Sequence, residues 1–184
     1  MMKKGIILLA DGFEPTEALC TQDILLRAGM IVDLVSTNGT NHVVSSMETK
    51  ICVQLKLELI DISIYDFVIV PGGTKGVDNL IQSNEVATAL KYFYDKNKLI
   101  CSICAGPSVL ITLDLLNNRS FTCFPGFDLD APTRNAKDPV VVDGNLITAR
   151  SMYYSIPFAE AIIMFYQGQE GIDRIQYGTK GINN

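Results

Sequence analysis

Leu99-Ile100-Cys101-Ser102-Ile103-Cys104-Ala105-Gly106-Pro107 is the stretch on which the fold turns. Its first five residues have strand length and the near-continuous apolar character of a parallel strand covered on both faces. A helical pattern follows from Gly106 to about Leu116, so Cys104 ends a buried strand and opens a helix. Working outward, residues 5–10, 31–36 and 67–70 are apolar runs of the same kind, each followed by turn residues or a helical pattern. Pro15 suits the first turn of a helix running to about Ala28, with Gly29 at its C-terminal cap. Residues 84–97 and 154–167 read as further helices. Residues 140–142 and 146–149, joined through Asp143-Gly144, carry a hairpin signal, and residues 43–46 with 51–53 suit a small side ribbon. Strands alternating with helices predict one α/β domain over residues 1–184. Its expected form is a three-layer α/β/α sandwich around a mainly parallel, flavodoxin-like sheet, with Cys104 on a nucleophile elbow.

The 184 residues are 48% hydrophobic and 19% charged, with a net charge of −5. That apolar fraction excludes disorder, and a chain of this length builds a core without disulfides or a structural metal. Fifteen Lys and Arg against 20 Asp and Glu argue against a nucleic-acid or anionic-membrane surface. No apolar run approaches the roughly 20 residues of a membrane-spanning helix. The run after Lys3-Lys4 is too short for a signal core and meets Asp11 without a cleavage pattern. Five cysteines, an odd number, suit free thiols in a reducing cytoplasm. The single histidine, His42, lies in a polar, turn-like stretch and reads as solvated; one histidine also excludes most histidine-based metal sites.

In open α/β sheets ligands bind beyond the carboxyl ends of the strands. Three segments converge there: Asp11 to Glu17, Pro71 to Gly76, and Cys104 to Pro107. Glu17 shares one helical stripe with Cys20, Ile24 and Ala28, which aims its carboxyl inward near the helix start. Desolvation there raises the carboxyl pKa and outweighs the helix dipole; the alternative is a hydrated first-turn glutamate. At the strand-to-helix turn, main-chain amides are expected to lower the Cys104 pKa below about 8.5; the alternative is a buried, inert thiol. Small Ala105 and Gly106 leave room for a substrate. Gly72 and Gly73 form a tight turn whose amides, with the Ala105 N–H, suit an oxyanion. The turn lacks a phosphate-loop pattern. Cys101 stands about 10 Å from Cys104 in an extended strand, at 3.3 Å per residue, too far for a disulfide. It is assigned to the core with Cys20, Cys52 and Cys123.

The same residues, in order and at these spacings, resemble the ThiJ/PfpI superfamily, whose fold is class I glutamine amidotransferase-like. The resemblance runs from Lys3 to about Gly168. It is carried by Ala10-Asp11-Gly12-Phe13-Glu14 with Glu17, Val70-Pro71-Gly72-Gly73 with Asn79-Leu80, and Ile103-Cys104-Ala105-Gly106-Pro107. Asp143-Gly144 with Thr148-Ala149-Arg150 resembles the family's late hairpin. The match is nearest the branch of the parkinsonism-associated protein deglycase. That resemblance implies Cys104 as nucleophile, Glu17 as the carboxyl bonded to it, and Gly73 and Ala105 as oxyanion amides. It implies cofactor-free, metal-free attack on small reactive aldehydes or glycated adducts, or a redox-sensing, chaperone-like role in which Cys104 becomes a sulfinate. It also implies a homodimer.

Three departures stand out. Phe124 occupies the place of a histidine that many relatives set beside the nucleophile. Ser151-Met152-Tyr153-Tyr154 replaces a Gly-Pro-Gly-Thr segment, which makes one pocket wall bulkier. Met47 replaces an arginine that reaches across the dimer, altering the polar network around Glu14, Asp23 and Arg27. The peptidase branch carries a histidine directly after its cysteine, and Ala105 in that place argues against proteolysis.

Overall fold

The structure is a computed structural model that describes residues 2–181. Strands β1 (Lys4–Leu9), β2 (Ile31–Ser36), β6 (Phe67–Val70), β7 (Leu99–Ile103) and β9 (Leu146–Ala149) form the parallel part of a seven-stranded sheet. Two edge strands complete it. β5 (Leu55–Lys56) adds in parallel to β2, and β8 (Val140–Asp143) adds antiparallel to β9. The order β5-β2-β1-β6-β7-β9-β8 contains, in its parallel part, the 2-1-3-4-5 arrangement of flavodoxin-like sheets. The expected architecture is therefore observed.

Every residue of β6, β7 and β9 is buried, because alternate residues face two different helical layers. Ile7, Leu9, Ile69 and Ile103 pack toward Ile24 and Leu25 of α1 (Thr21–Arg27) and Phe158 and Ile162 of α5 (Ser155–Lys180). Ile6, Leu8, Val68 and Ile100 pack toward the other layer. There they meet α2 (Thr74–Gln82), α3 (Asn84–Asp95) and α4 (Pro107–Thr112) through Leu80, Leu90 and Leu110. The short ribbon of β3 (His42–Val44) and β4 (Lys50–Cys52) clips onto the loop after β1. Gly12 N–H donates to Val44 O at 2.7 Å, and Asp11 Oδ1 accepts from Val44 N–H at 2.8 Å.

The helix ends are set by local chemistry. Gly29, Asn97 and Asp114 adopt left-handed φ values of 77°, 52° and 59° just past α1, α3 and α4. In each, paired backbone bonds close the last turn, such as Leu115 N–H to Leu110 O and Asp114 N–H to Ile111 O, both 2.9 Å. This cap stops α4 at Thr112, short of the expected Leu116. The first helix begins with a five-residue π turn, Thr16–Cys20, before α1 proper. α5 is two helical segments in series: Gly168 (φ 63°, ψ −159°) leaves the helical region, so the first segment ends at residue 167 as expected and a second runs on to Lys180. The second segment carries Ile172 and Ile175 into the core. The helix α2 had no sequence expectation.

Gly5 of β1 lies in register with Phe67 of β6, and a Cβ at Gly5 would occupy the Phe67 ring. Gly5→Ala should therefore cost about 1–3 kcal/mol in urea denaturation. Gly5→Ala with Phe67→Leu should recover part of that loss relative to the sum of the single variants.

Candidate active site

The site forms where the loops after β1, β6 and β7 meet, beside the point at which the strand order reverses. Cys104 follows β7 directly and has φ 62°, a left-handed value costly for a residue with a side chain. It is held from both sides. Its N–H donates to Ala149 O at 2.9 Å, and its carbonyl accepts from Phe124 N–H at 2.8 Å. The chain then turns at once into α4, and Gly106 makes that turn possible. A Cβ there would sit 2.6 Å from Ser102 Oγ.

Glu17 lies in the π turn and has no exposed surface. Its Oε2 accepts from Gly72 N–H at 2.7 Å, while Oε1 is buried without a conventional hydrogen-bond partner. Burial pushes the Glu17 carboxyl up to about 7, against the pull of hydrogen bonds from Cys104 and the Gly72 N–H; nearby Glu14 adds to the rise. The inward-facing reading of Glu17 is thus the one observed. Gly72 is also the contact surface of the pair: a Cβ there would lie 2.8 Å from both Cys104 Cβ and Glu17 Oε2.

The thiol differs from expectation. Burial pushes Cys104 well above its ordinary range, and the neighbouring Glu17 carboxylate pushes it further; the Ala105 N–H pulls the other way and loses. One amide at the turn does not offset desolvation beside a negative charge. The two groups therefore behave as a coupled, proton-sharing pair, and burial together with the Glu17 charge, rather than the helix start, sets the state of the sulfur.

The pair opens on a cavity of about 320 Å³. Glu14, Gly73, Thr74, Ala105 and Phe124 line it with Cys104 and Glu17, as do Met47, Ser151 and Met152 from the two segments noted as departures. Phe127 and Ser46 also line it and were not singled out from sequence. Ser46 rides on the ribbon, donating its hydroxyl to Glu14 Oε2 at 3.2 Å. Phe127 lies in an irregular stretch without periodicity. Gly72 lines no part of the cavity; its amide is engaged by Glu17, so it positions the carboxyl and is not a free oxyanion donor.

Asp23 and Arg27 do not join the site. They pair with each other at 2.7 Å on the exposed side of α1, and Arg27 also reaches Gly178 O at 3.3 Å. The period that turns Glu17 inward turns these two outward. His42 is exposed on β3. Cys101 and Cys123 are buried as expected, but Cys20 is half-buried and Cys52 is exposed on the ribbon; all five thiols are free. No described helix is long and apolar enough to cross a membrane.

A raised carboxyl pKa favours folding where the group is protonated, and that benefit is lost as pH rises from about 4.5 through about 7. The wild type should lose about 3 kcal/mol across this window, at about 1.4 kcal/mol per pH unit. Glu17→Gln keeps an acceptor for Gly72 but has no proton to lose. Its denaturation midpoint should be correspondingly flatter between pH 4.5 and 8.

The DJ-1/PfpI family model matches residues 3–164. Over 181 residues the chain is 30% identical to protein dj-1beta of Drosophila melanogaster, covering 97% of each. Over 182 residues it is 32% identical to the Parkinson disease protein 7 homolog of Danio rerio, covering 91% of this chain and 92% of that one. Protein DJ-1 homolog B of Arabidopsis thaliana is 31% identical over 167 residues, of which the match spans only 38% of the plant protein. Among solved structures, oxidized Toxoplasma gondii DJ-1 superposes with a TM-score of 0.91 at 27% identity, covering 96% of this chain and 97% of the other. Drosophila melanogaster DJ-1beta gives 0.89 at 29% identity, covering 97% of each. The sheet order, the strained cysteine after β7 and the buried carboxyl beside it sit on a chain that belongs to the DJ-1/PfpI family.

Proposed function

We propose that this protein is a cysteine-dependent, cofactor-free glyoxalase or deglycase-like enzyme for small reactive carbonyls such as methylglyoxal, glyoxal and early glycation adducts. The observation that carries the reading is a water-excluded carboxyl, titrating near neutrality, paired with the Cys104 thiol at the floor of a small cavity. A general acid–base group works best when its pKa lies near the operating pH. Glu17 takes the thiol proton as the sulfur attacks the aldehyde carbon, and returns it to the carbonyl oxygen to give a hemithioacetal. The Ala105 and Gly73 amides face the developing oxyanion. Glu17 then removes the former aldehyde hydrogen, and a proton is delivered at the adjacent carbon. This leaves a 2-hydroxy thioester, the aldehyde carbon oxidised and the ketone carbon reduced within one molecule. Water cleaves the thioester to the hydroxy acid and restores the thiol.

With Phe124 in place of a histidine, no imidazole lines the described cavity, so all proton transfer falls to Glu17. Glu14 sits at the mouth as an added negative charge that helps hold the Glu17 carboxyl up. We place the enzyme in the cytoplasm as a homodimer, in keeping with its family and its five free thiols.

A second reading draws on the unpartnered Oε1 of Glu17. A neutral Glu17 donates to a Cys104 sulfinate from that oxygen, which supports a redox-sensing, chaperone-like role in oxidative stress. The similar solved structure of oxidized T. gondii DJ-1 lends this reading weight.

Cys104→Ser and Glu17→Gln should each abolish methylglyoxal consumption in purified protein, and unchanged rates would reject the enzyme. The reactive pair holds a single proton. Wild-type kcat/KM should therefore rise as pH climbs through about 7 and level off above it. For the redox reading, intact mass after peroxide titration should show a gain of two oxygens confined to Cys104.

A further inference from the structure

The cavity wall has a composition that attack on a three-carbon carbonyl does not require. Phe124 is 44% exposed and Met152 46% in the single chain, and both line the same cavity, with Met47, whose place the resemblance sets at the dimer seam, beside them. Large apolar side chains exposed singly are ordinary; gathered around one concavity they mark where a ligand's apolar part rests. Phe124 and Phe127 stand edge to face, ring centroids 6.3 Å apart at 69°, an arrangement to which a further ring adds by the same quadrupole contacts. A cavity of about 320 Å³ holds a ring-bearing molecule and is loose around methylglyoxal.

Charge restricts the ligand in a second, independent way. Glu14 and Glu17 are the charge-bearing side chains on the wall beside Cys104, and among the described residues no Lys, Arg or His lines it. A permanent carboxylate or phosphate on the substrate would enter next to Glu14 without a counter-cation. The Gly73 and Ala105 amides suit a transient oxyanion at the reacting carbon, but their partial charges do not balance a full negative charge elsewhere on the ligand.

We propose that this site selects uncharged 2-oxoaldehydes with a bulky apolar substituent, of the aryl glyoxal type, and discriminates against carbonyls that carry a carboxylate or phosphate. The proposal rests on the carbonyl reading above and adds the substrate class. The chemistry is unchanged, because the substituent takes no part in it. Phenylglyoxal is converted through the hemithioacetal and thioester to mandelate, with water as the second reactant. The product is itself an anion, so the Glu14 charge that screens substrates also favours its departure.

Initial rates with phenylglyoxal, methylglyoxal and 4-carboxyphenylglyoxal test the idea on the wild type and on Phe124→Ser. Phenylglyoxal should exceed methylglyoxal in kcat/KM by roughly tenfold or more. 4-Carboxyphenylglyoxal should fall well below phenylglyoxal, and Phe124→Ser should shrink the preference for the ring. Methylglyoxal matching phenylglyoxal, or the carboxylated substrate doing so, overturns the proposal. Protection of Cys104 from iodoacetamide by acetophenone against acetone, two ketones that undergo no turnover, separates selectivity from catalysis. Stronger protection by acetophenone that weakens in Phe124→Ser supports the apolar site even if no oxoaldehyde is consumed, in which case the enzymatic reading falls alone. Equal protection by the two ketones overturns the selectivity.

Discussion

One hydrogen bond sets the position of the acid in the reactive pair: Gly72 N–H to Glu17 Oε2, 2.7 Å, with the carboxyl fully buried. It joins the loop after β1 to the loop after β6, and it fixes the carboxyl against the cysteine that ends β7. Nothing larger than hydrogen fits on Gly72, since a Cβ would meet the sulfur-bearing residue and the carboxyl at once. The proton-sharing pair thus follows from three loops that a parallel sheet brings to one edge, at the place where neighbouring connections run to opposite sides.

The sheet also sustains the strained backbone at Cys104. A left-handed residue of this kind costs on the order of 1–3 kcal/mol and persists only where its surroundings over-determine it. Here β7 is paired along its length to β6 and β9, both fully buried, and the strain falls on the first residue beyond that register. Bonds to Ala149 and Phe124 continue the pairing past the strand end. The bond to Phe124 has a further effect, because it draws an otherwise irregular segment over the cysteine. That segment supplies the aromatic wall.

Much of this was legible in the residues. Unbroken apolar runs named the parallel strands, and Gly29 marked the end of the first helix. Glu17 was readable because its helical neighbours Ile24 and Ala28 are apolar; the π turn shifts the geometry at Cys20 without turning Glu17 away from the core. The state of the thiol was not legible. It depends on whether desolvation and a carboxylate from another strand's loop outweigh one nearby amide, and sequence does not carry that distance. Asp23 and Arg27 are named through the resemblance alone, and within this chain the helical period that turns Glu17 inward leaves them paired on the exposed side of α1. Ser46 and Phe127 escaped notice because both lie where no periodicity points, on a ribbon and in a loop positioned by long-range backbone bonds.

The titrating carboxyl bears on why such a group sits there at all. A glutamine at position 17 could accept the same bond from Gly72 while never becoming a buried charge, so folding alone favours the amide at neutral pH. Retaining an acid that loses its proton near 7 works against stability in the range where the protein must function. Features that oppose stability in this way concentrate where chemistry needs them. The unpartnered Oε1 points in the same direction, since a buried oxygen without a partner is costly until something binds to it. What fits is a group that takes a proton from the carboxyl or gives one to it, bound at the Cys104 sulfur. A carbonyl adduct and an oxidised sulfur both meet that requirement, so the two readings of the site share one physical origin. They differ in what arrives at the mouth, where Phe124, Met47 and Met152 rather than the reacting pair make the selection.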